Sequence, residues 1–176
     1  MLTPLEKMAI EKGFLTLKII WAAMFGPLLI YVIICHQFGH EIRQVANIQI
    51  PVDVLKYIFL GLSLVTLFLT HHLRRSMLAV RSVGPVIKLA DQTSYSNQPQ
   101  ALVKYTAAVI VSLALSESIG IYGLVLFFLG DTFRTLYTFI IISAFAMSYY
   151  RPKQEELVML AISMKAEQDQ RPRYLH

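Results

Sequence analysis

Four runs of apolar residues, each long enough to cross a bilayer, decide what this chain can fold into. A spanning helix needs roughly 20 apolar residues, because at 1.5 Å per residue it must cover about 30 Å of hydrocarbon. The first run extends from Phe14 to Cys35, with Lys18 close enough to its start to reach the interface along its aliphatic stem. The second covers 54–70 and is closed by His71, His72, Arg74 and Arg75. The third covers 102–129 and contains one acid, Glu117; the fourth covers 133–150 and ends at Arg151-Pro152. Pro27 should kink the first helix, and neighbouring helices can satisfy the backbone groups it frees.

The composition agrees with these runs. Hydrophobic residues make up 56% of the chain and charged residues 15%, with a mean hydropathy of +0.55. A soluble domain carries about 45–50% and about 25% respectively. The single cysteine, Cys35, excludes a disulfide framework and any multi-cysteine metal cage. The first run is too long for the apolar core of a signal peptide and lacks a small-residue cleavage site, so it is read as a mature helix.

The net charge of +5 flanks helices rather than forming a nucleic-acid face. Lys7, Lys12 and Lys18 lie on the N-terminal flank, and Arg74, Arg75, Arg81, Lys88 and Lys104 around the middle loop. Arg151, Lys153, Lys165, Arg171 and Arg173 lie on the C-terminal tail. The other two connections carry only Arg43, Lys56 and Arg134, so thirteen of the sixteen basic residues fall on one side. Under the positive-inside rule both termini and the middle loop are then cytoplasmic.

The predicted fold is an all-α integral membrane four-helix bundle over 1–150, followed by a cytoplasmic amphipathic tail over 151–176. Pro152 suits the first turn of a tail helix. Leu157, Leu160, Ala161 and Met164 then share one face against Glu155, Glu156, Lys165 and Glu167. Such a helix rests on headgroups or on a neighbour. The middle loop, 76–101, reads as surface helix interrupted at Gly84-Pro85, before the polar stretch that starts at Asp91. A shift of 91 residues aligns Ile19, Ala23, Ile30, Tyr31 and Gly39 with Ile110, Ala114, Ile121, Tyr122 and Gly130. The first helix would then be a copy of the third, with Gly26 in the place of Glu117.

Glu117 falls near the midplane of the third span, where an ionisable group costs about 2.5–3.5 kcal/mol and marks a functional candidate. Desolvation favours the neutral acid, which can hold a proton and release it when a cation or an aqueous path arrives. The competing use is a protonated carboxyl hydrogen-bonded to a neighbouring helix as interhelical glue. Elsewhere, His36 and His40 share a face near Glu41 but lack a third ligand for zinc, and read as interfacial residues. His71-His72 with Arg74-Arg75 reads as a polar stop with affinity for anionic headgroups. Tyr31, Tyr137, Tyr149 and Tyr150 fall near span ends, as an aromatic belt does. No Gly-rich phosphate loop, nucleophile elbow or His-Glu-x-x-His helix is present, so neither a catalytic site nor an organic cofactor is predicted.

The stretch around Glu117 resembles the carboxylate helix of the proteolipid subunit c of rotary ATP synthases. Asn97-Gln98-Pro99-Gln100 stands where that family has an Arg-Gln-Pro-Glu-like loop. Ala114-Leu115-Ser116-Glu117-Ser118 and Ile121-Tyr122-Gly123-Leu124-Val125 then follow, with a family-like spacing from Pro99 to the acid. The resemblance covers about 97–130 and implies that Glu117 binds a proton or a sodium ion within a homo-oligomer or larger complex of a bacterial inner membrane or its equivalent. Ser118 and Tyr122 match positions that accompany sodium-binding members, and hard oxygen ligands of that kind suit a hard cation. The second helix departs from the family. It has Gly61 alone in place of a Gly-x-Gly repeat and no Gln, with Ser63 or Thr66 as candidates to contribute an oxygen. The alternative function is a structural or assembly subunit in which Glu117 is a protonated interhelical donor.

Overall fold

The computed structural model describes residues 4–45, 51–79 and 100–170, which are helical almost throughout. The helices are α1 Pro4–Ala23, α2 Gly26–Val45, α3 Val52–Leu78, α4 Gln100–Phe128, α5 Phe133–Tyr149 and α6 Gln154–Gln170. Among the described residues, three apolar helical stretches, Ile10–Gly39, Val52–Leu78 and Gln100–Phe128, are long enough to cross a membrane. The apolar α5 is shorter, at 17 residues. At 1.5 Å per residue it reaches about 26 Å.

The first apolar run is jointed rather than merely bent. A turn at Met24-Phe25 separates α1 from α2, and the Phe25 amide donates to the Ala22 carbonyl at 3.2 Å. Pro27 explains the position, since its ring would crowd the carbonyl of Ala23, four residues earlier, and it offers no amide of its own. The joint thus lies one turn before the proline.

Helix α4 is the centre of the bundle and touches α1, α2, α3, α5 and α6. Its glycines set how closely two of these approach. A Cβ on Gly123 would stand 2.6 Å from Cβ of Phe139 and 3.3 Å from the Leu136 carbonyl oxygen, and one on Gly120 would meet Leu28 at 2.6 Å. Ser143 of α5 donates to the Ser116 carbonyl at 2.7 Å, and the indole of Trp21 donates to the Met147 carbonyl at 3.0 Å. Between α4 and α5 the chain reverses at Gly130, with φ of 103°. The amides of Gly130 and Asp131 return to the carbonyls of Phe127 and Leu126, the pairing that closes a helix around a left-handed residue.

The distribution of side chains on α3 is inverted relative to a helix packed for water. Its buried residues are Ser63, Thr66, Thr70 and Arg74, whereas Tyr57, Leu64, Val65 and Phe68 are exposed. Small polar residues at helix contacts and bulky apolar ones outside are what association within a bilayer selects. The hydroxyls are satisfied inside, because Ser63, Thr66 and Thr70 each donate to the carbonyl four residues back at 2.7–2.8 Å.

Arg74 also corrects the polar stop. The helix does not end near Thr70 but continues through His71, His72, Arg74 and Arg75 to Leu78. Arg74 turns inward, donating to the Tyr150 carbonyl at 2.8 Å and to Glu156 Oε2 at 2.7 Å. Tyr105 completes the junction by accepting from the Lys153 amide at 2.7 Å and donating to the Lys153 carbonyl at 3.0 Å. This knot fastens α6, which begins two residues after Pro152, to the basic end of the bundle. Leu157, Leu160 and Ala161 are buried in one cluster with Ile10, Phe14, Leu17, Leu102 and Tyr105, and Met164 packs at its edge. The apolar face of the tail helix therefore rests on its own bundle. The middle-loop reading, including Gly84-Pro85 and Asn97-Gln98-Pro99, lies outside the described residues, and Gln100 opens α4.

Candidate functional site

Glu117 is half-buried on α4, and its Oε1 accepts a hydrogen bond from the Tyr31 hydroxyl of α2 at 3.0 Å. The aromatic-belt reading of Tyr31 is thereby corrected: its hydroxyl reaches across to the one acid of the third span. The 91-residue shift sets Tyr31 opposite Tyr122 in the sequence and does not pair it with the acid.

The exposure of α4 shows what surrounds the pair. Ile110, Ala114, Ile121 and Val125 are exposed and recur every four to seven residues, so they form one stripe along the helix. Glu117 falls between Ala114 and Ile121 on that stripe, with α2 on one side through Tyr31. Ser116 and Gly123, on another face, pack against α5. The carboxyl is thus anchored on one oxygen at the margin of the open face of the central helix.

The remaining predicted site residues are distributed differently. Ser118 is half-buried and donates to the Leu115 carbonyl of its own helix at 2.7 Å. Tyr122 stacks on Phe59 of α3 with ring centroids 5.3 Å apart. Five positions along a helix is a rotation of about 140°, so Tyr122 is carried away from the α2 side that Glu117 occupies. Ser63 and Thr66 are buried on α3 and donate to the carbonyls of Phe59 and Leu62 at 2.8 Å. Among the described residues, Glu117 is brought together with Tyr31, and no hydrogen bond joins it to Ser118, Tyr122, Ser63 or Thr66.

At the opposite end from the Arg74 junction, His36 Nε2 and the Tyr137 hydroxyl are 2.6 Å apart, and the imidazole stacks on Phe133 at 4.8 Å. The side chains of His40 and Glu41 lie outside the described ones. Among the described residues no group of three or more His, Cys, Asp or Glu is placed to hold a metal ion. Comparison of the chain with family models, with characterised proteins and with solved structures finds no match in any of the three.

Proposed function

We propose that this chain is a subunit c-like membrane proteolipid that holds and releases a proton at Glu117 within an oligomeric membrane complex. The observation that carries the reading is the position of the carboxyl: one oxygen is held by Tyr31, and the half-buried group stands at the margin of the exposed stripe of the central helix. A carboxyl so placed has one oxygen held by a donor from a neighbouring helix, yet stays open to a partner surface. A proton suits this site better than sodium. A desolvated cation needs several oxygens converging on it, and Ser63, Thr66 and Tyr122 belong to the α3 side of α4. Both termini and the middle loop face the cytoplasm in this reading, in a bacterial inner membrane or its equivalent. No covalent turnover is assigned to the chain.

A second reading rests on the same hydrogen bond. Tyr31 and Glu117 tie α2 to α4, which is what a structural or assembly subunit would use a neutral carboxyl for. Glu117→Gln, examined in native membranes, separates the two. The proton-carrying reading expects normal assembly on a native gel together with loss of the proton uptake that depends on this chain. Loss of assembly would favour the structural role, and unchanged assembly with unchanged uptake would defeat the proposal.

A further inference from the structure

Of the four polar residues that follow the apolar stretch of α3, three do not act as a simple stop. His71, Arg74, Arg75 and Leu78 recur at three, four and seven residues and so share one face over the last two turns of α3. That face, with Ala79, lines an open cavity of about 590 Å³. His72 points elsewhere and stacks on Phe68.

Among the described residues, Arg74 alone of the basic groups lining this cavity has an anionic partner. Arg74 is spoken for by Glu156 and the Tyr150 carbonyl, and forms a fixed floor. Arg75 and His71 are exposed, and neither makes a hydrogen bond or ion pair among the described residues. The end of a helix ordinarily presents carbonyl oxygens that would repel an anion. Here the Ala79 amide occupies the carbonyls of Arg75 and Ser76, and the buried Lys104 ammonium caps the Ala79 carbonyl at 2.7 Å. The negative pole of α3 is thus quenched on the side where the cations gather. Leu78 adds an apolar wall, and the exposed apolar surface of Leu64, Val65 and Phe68 leads up to the site along the same helix.

We propose that this face of α3 binds the headgroup of an anionic phospholipid, with Arg75 engaging the phosphate, His71 beside it, and the acyl chains lying along α3. Arginine presents a planar fork that matches phosphate oxygens, and a basic pocket at the end of a span sits at headgroup level. The proposal rests on α3 spanning a bilayer and is independent of the role of Glu117.

The test uses the full chain purified in mild detergent, with lipid retention followed by native mass spectrometry and stability by thermal unfolding. Phosphatidylglycerol should be retained and raise the melting temperature, whereas phosphatidylcholine and inorganic phosphate at equal concentration should not. Replacing both His71 and Arg75 by Ala should weaken phosphatidylglycerol binding by about fivefold or more, from roughly 1 kcal/mol per basic residue at a surface. Arg75→Lys, which keeps the charge and loses the fork, should bind more weakly than the unchanged chain and more tightly than the double variant, and Arg134→Ala, a charge removed at the other end of the bundle, should leave binding unchanged. Helical circular dichroism and gel filtration of each variant confirm that the fold persists. Equal retention of the two lipids, reproduction of the effect by inorganic phosphate, or full binding by the double variant would each overturn the assignment.

Discussion

Tyr31 and Glu117 are 86 positions apart in the chain and meet through a hydrogen bond of 3.0 Å between α2 and α4. The phenol is the donor, so the bond persists whether the carboxyl is neutral or charged. Tyr31→Phe keeps the ring and removes only the donor. The expected cost is about 0.5–1.5 kcal/mol, the usual range for interhelical hydrogen bonds in membranes. Infrared spectra should show a neutral carboxylic acid band that vanishes in Glu117→Gln and rises in frequency in Tyr31→Phe, as the carbonyl loses its donor. A band that ignores the Tyr31 substitution would mean that the two groups are not partnered.

The Arg74 junction makes a separate prediction about the tail helix. Arg74 is buried, so its removal leaves the Tyr150 carbonyl without its donor and Glu156 without its cation. Arg74→Ala should cost about 2–3 kcal/mol. Glu156→Gln should cost less, because that side chain is 34% exposed and already partly screened. Limited proteolysis should cut α6 faster in Arg74→Ala while the spans stay protected. Unchanged protection of α6 would show that Leu157, Leu160 and Ala161 hold it without the ion pair.

Two glycines should respond in opposite ways. Gly123 has Cβ of Phe139 and a backbone oxygen against its face, so Gly123→Leu should separate α4 from α5 and cost about 1–3 kcal/mol or more. Gly61 has nothing within 4 Å, so Gly61→Leu should be tolerated by the isolated chain. Thermal unfolding in detergent ranks the pair. A large loss at Gly61 in native membranes alone would place a second molecule against α3.

These outcomes separate what the sequence made legible from what it did not. The spans were readable because hydrocarbon thickness sets their length, and Pro27 marked a break because its chemistry is local. The face of α6 followed from the spacing of Leu157, Leu160 and Ala161. Arg74 was hidden among neighbours of the same type, although Ser63, Thr66, Thr70 and Arg74 already trace one polar seam at helical spacing. Tyr31 was harder. Its partner lies in another helix, and nothing in the local sequence separates an interfacial tyrosine from one that turns inward. The hydroxyls of Ser63, Thr66 and Ser118 could equally have faced a cation or their own backbone, a choice decided by rotamer and by which helix lies opposite.

Orientation can be read from the two ends of α5. Arg134 and Lys153 are exposed and flank the helix at its start and just beyond its end. With Cys35 replaced by Ser, a cysteine at position 153 should react with a membrane-impermeant maleimide only from the cytoplasmic side, and one at 134 only from the other. Labelling of position 153 from outside intact cells would reverse the orientation argued from the basic residues.

The most direct measurement is modification of Glu117 by a hydrophobic carbodiimide in native membranes, with the site read by mass spectrometry. The reagent enters from lipid and reacts with protonated carboxyl groups, and Glu117 is the one acid within the four apolar runs. Glu117 should react ahead of the other acids, at a rate indifferent to added sodium. Tyr31→Phe should accelerate the reaction by freeing Oε1. A Glu117 that stays unreactive while other acids are modified, or one that sodium protects, would contradict a proton held at this site and open to the bilayer.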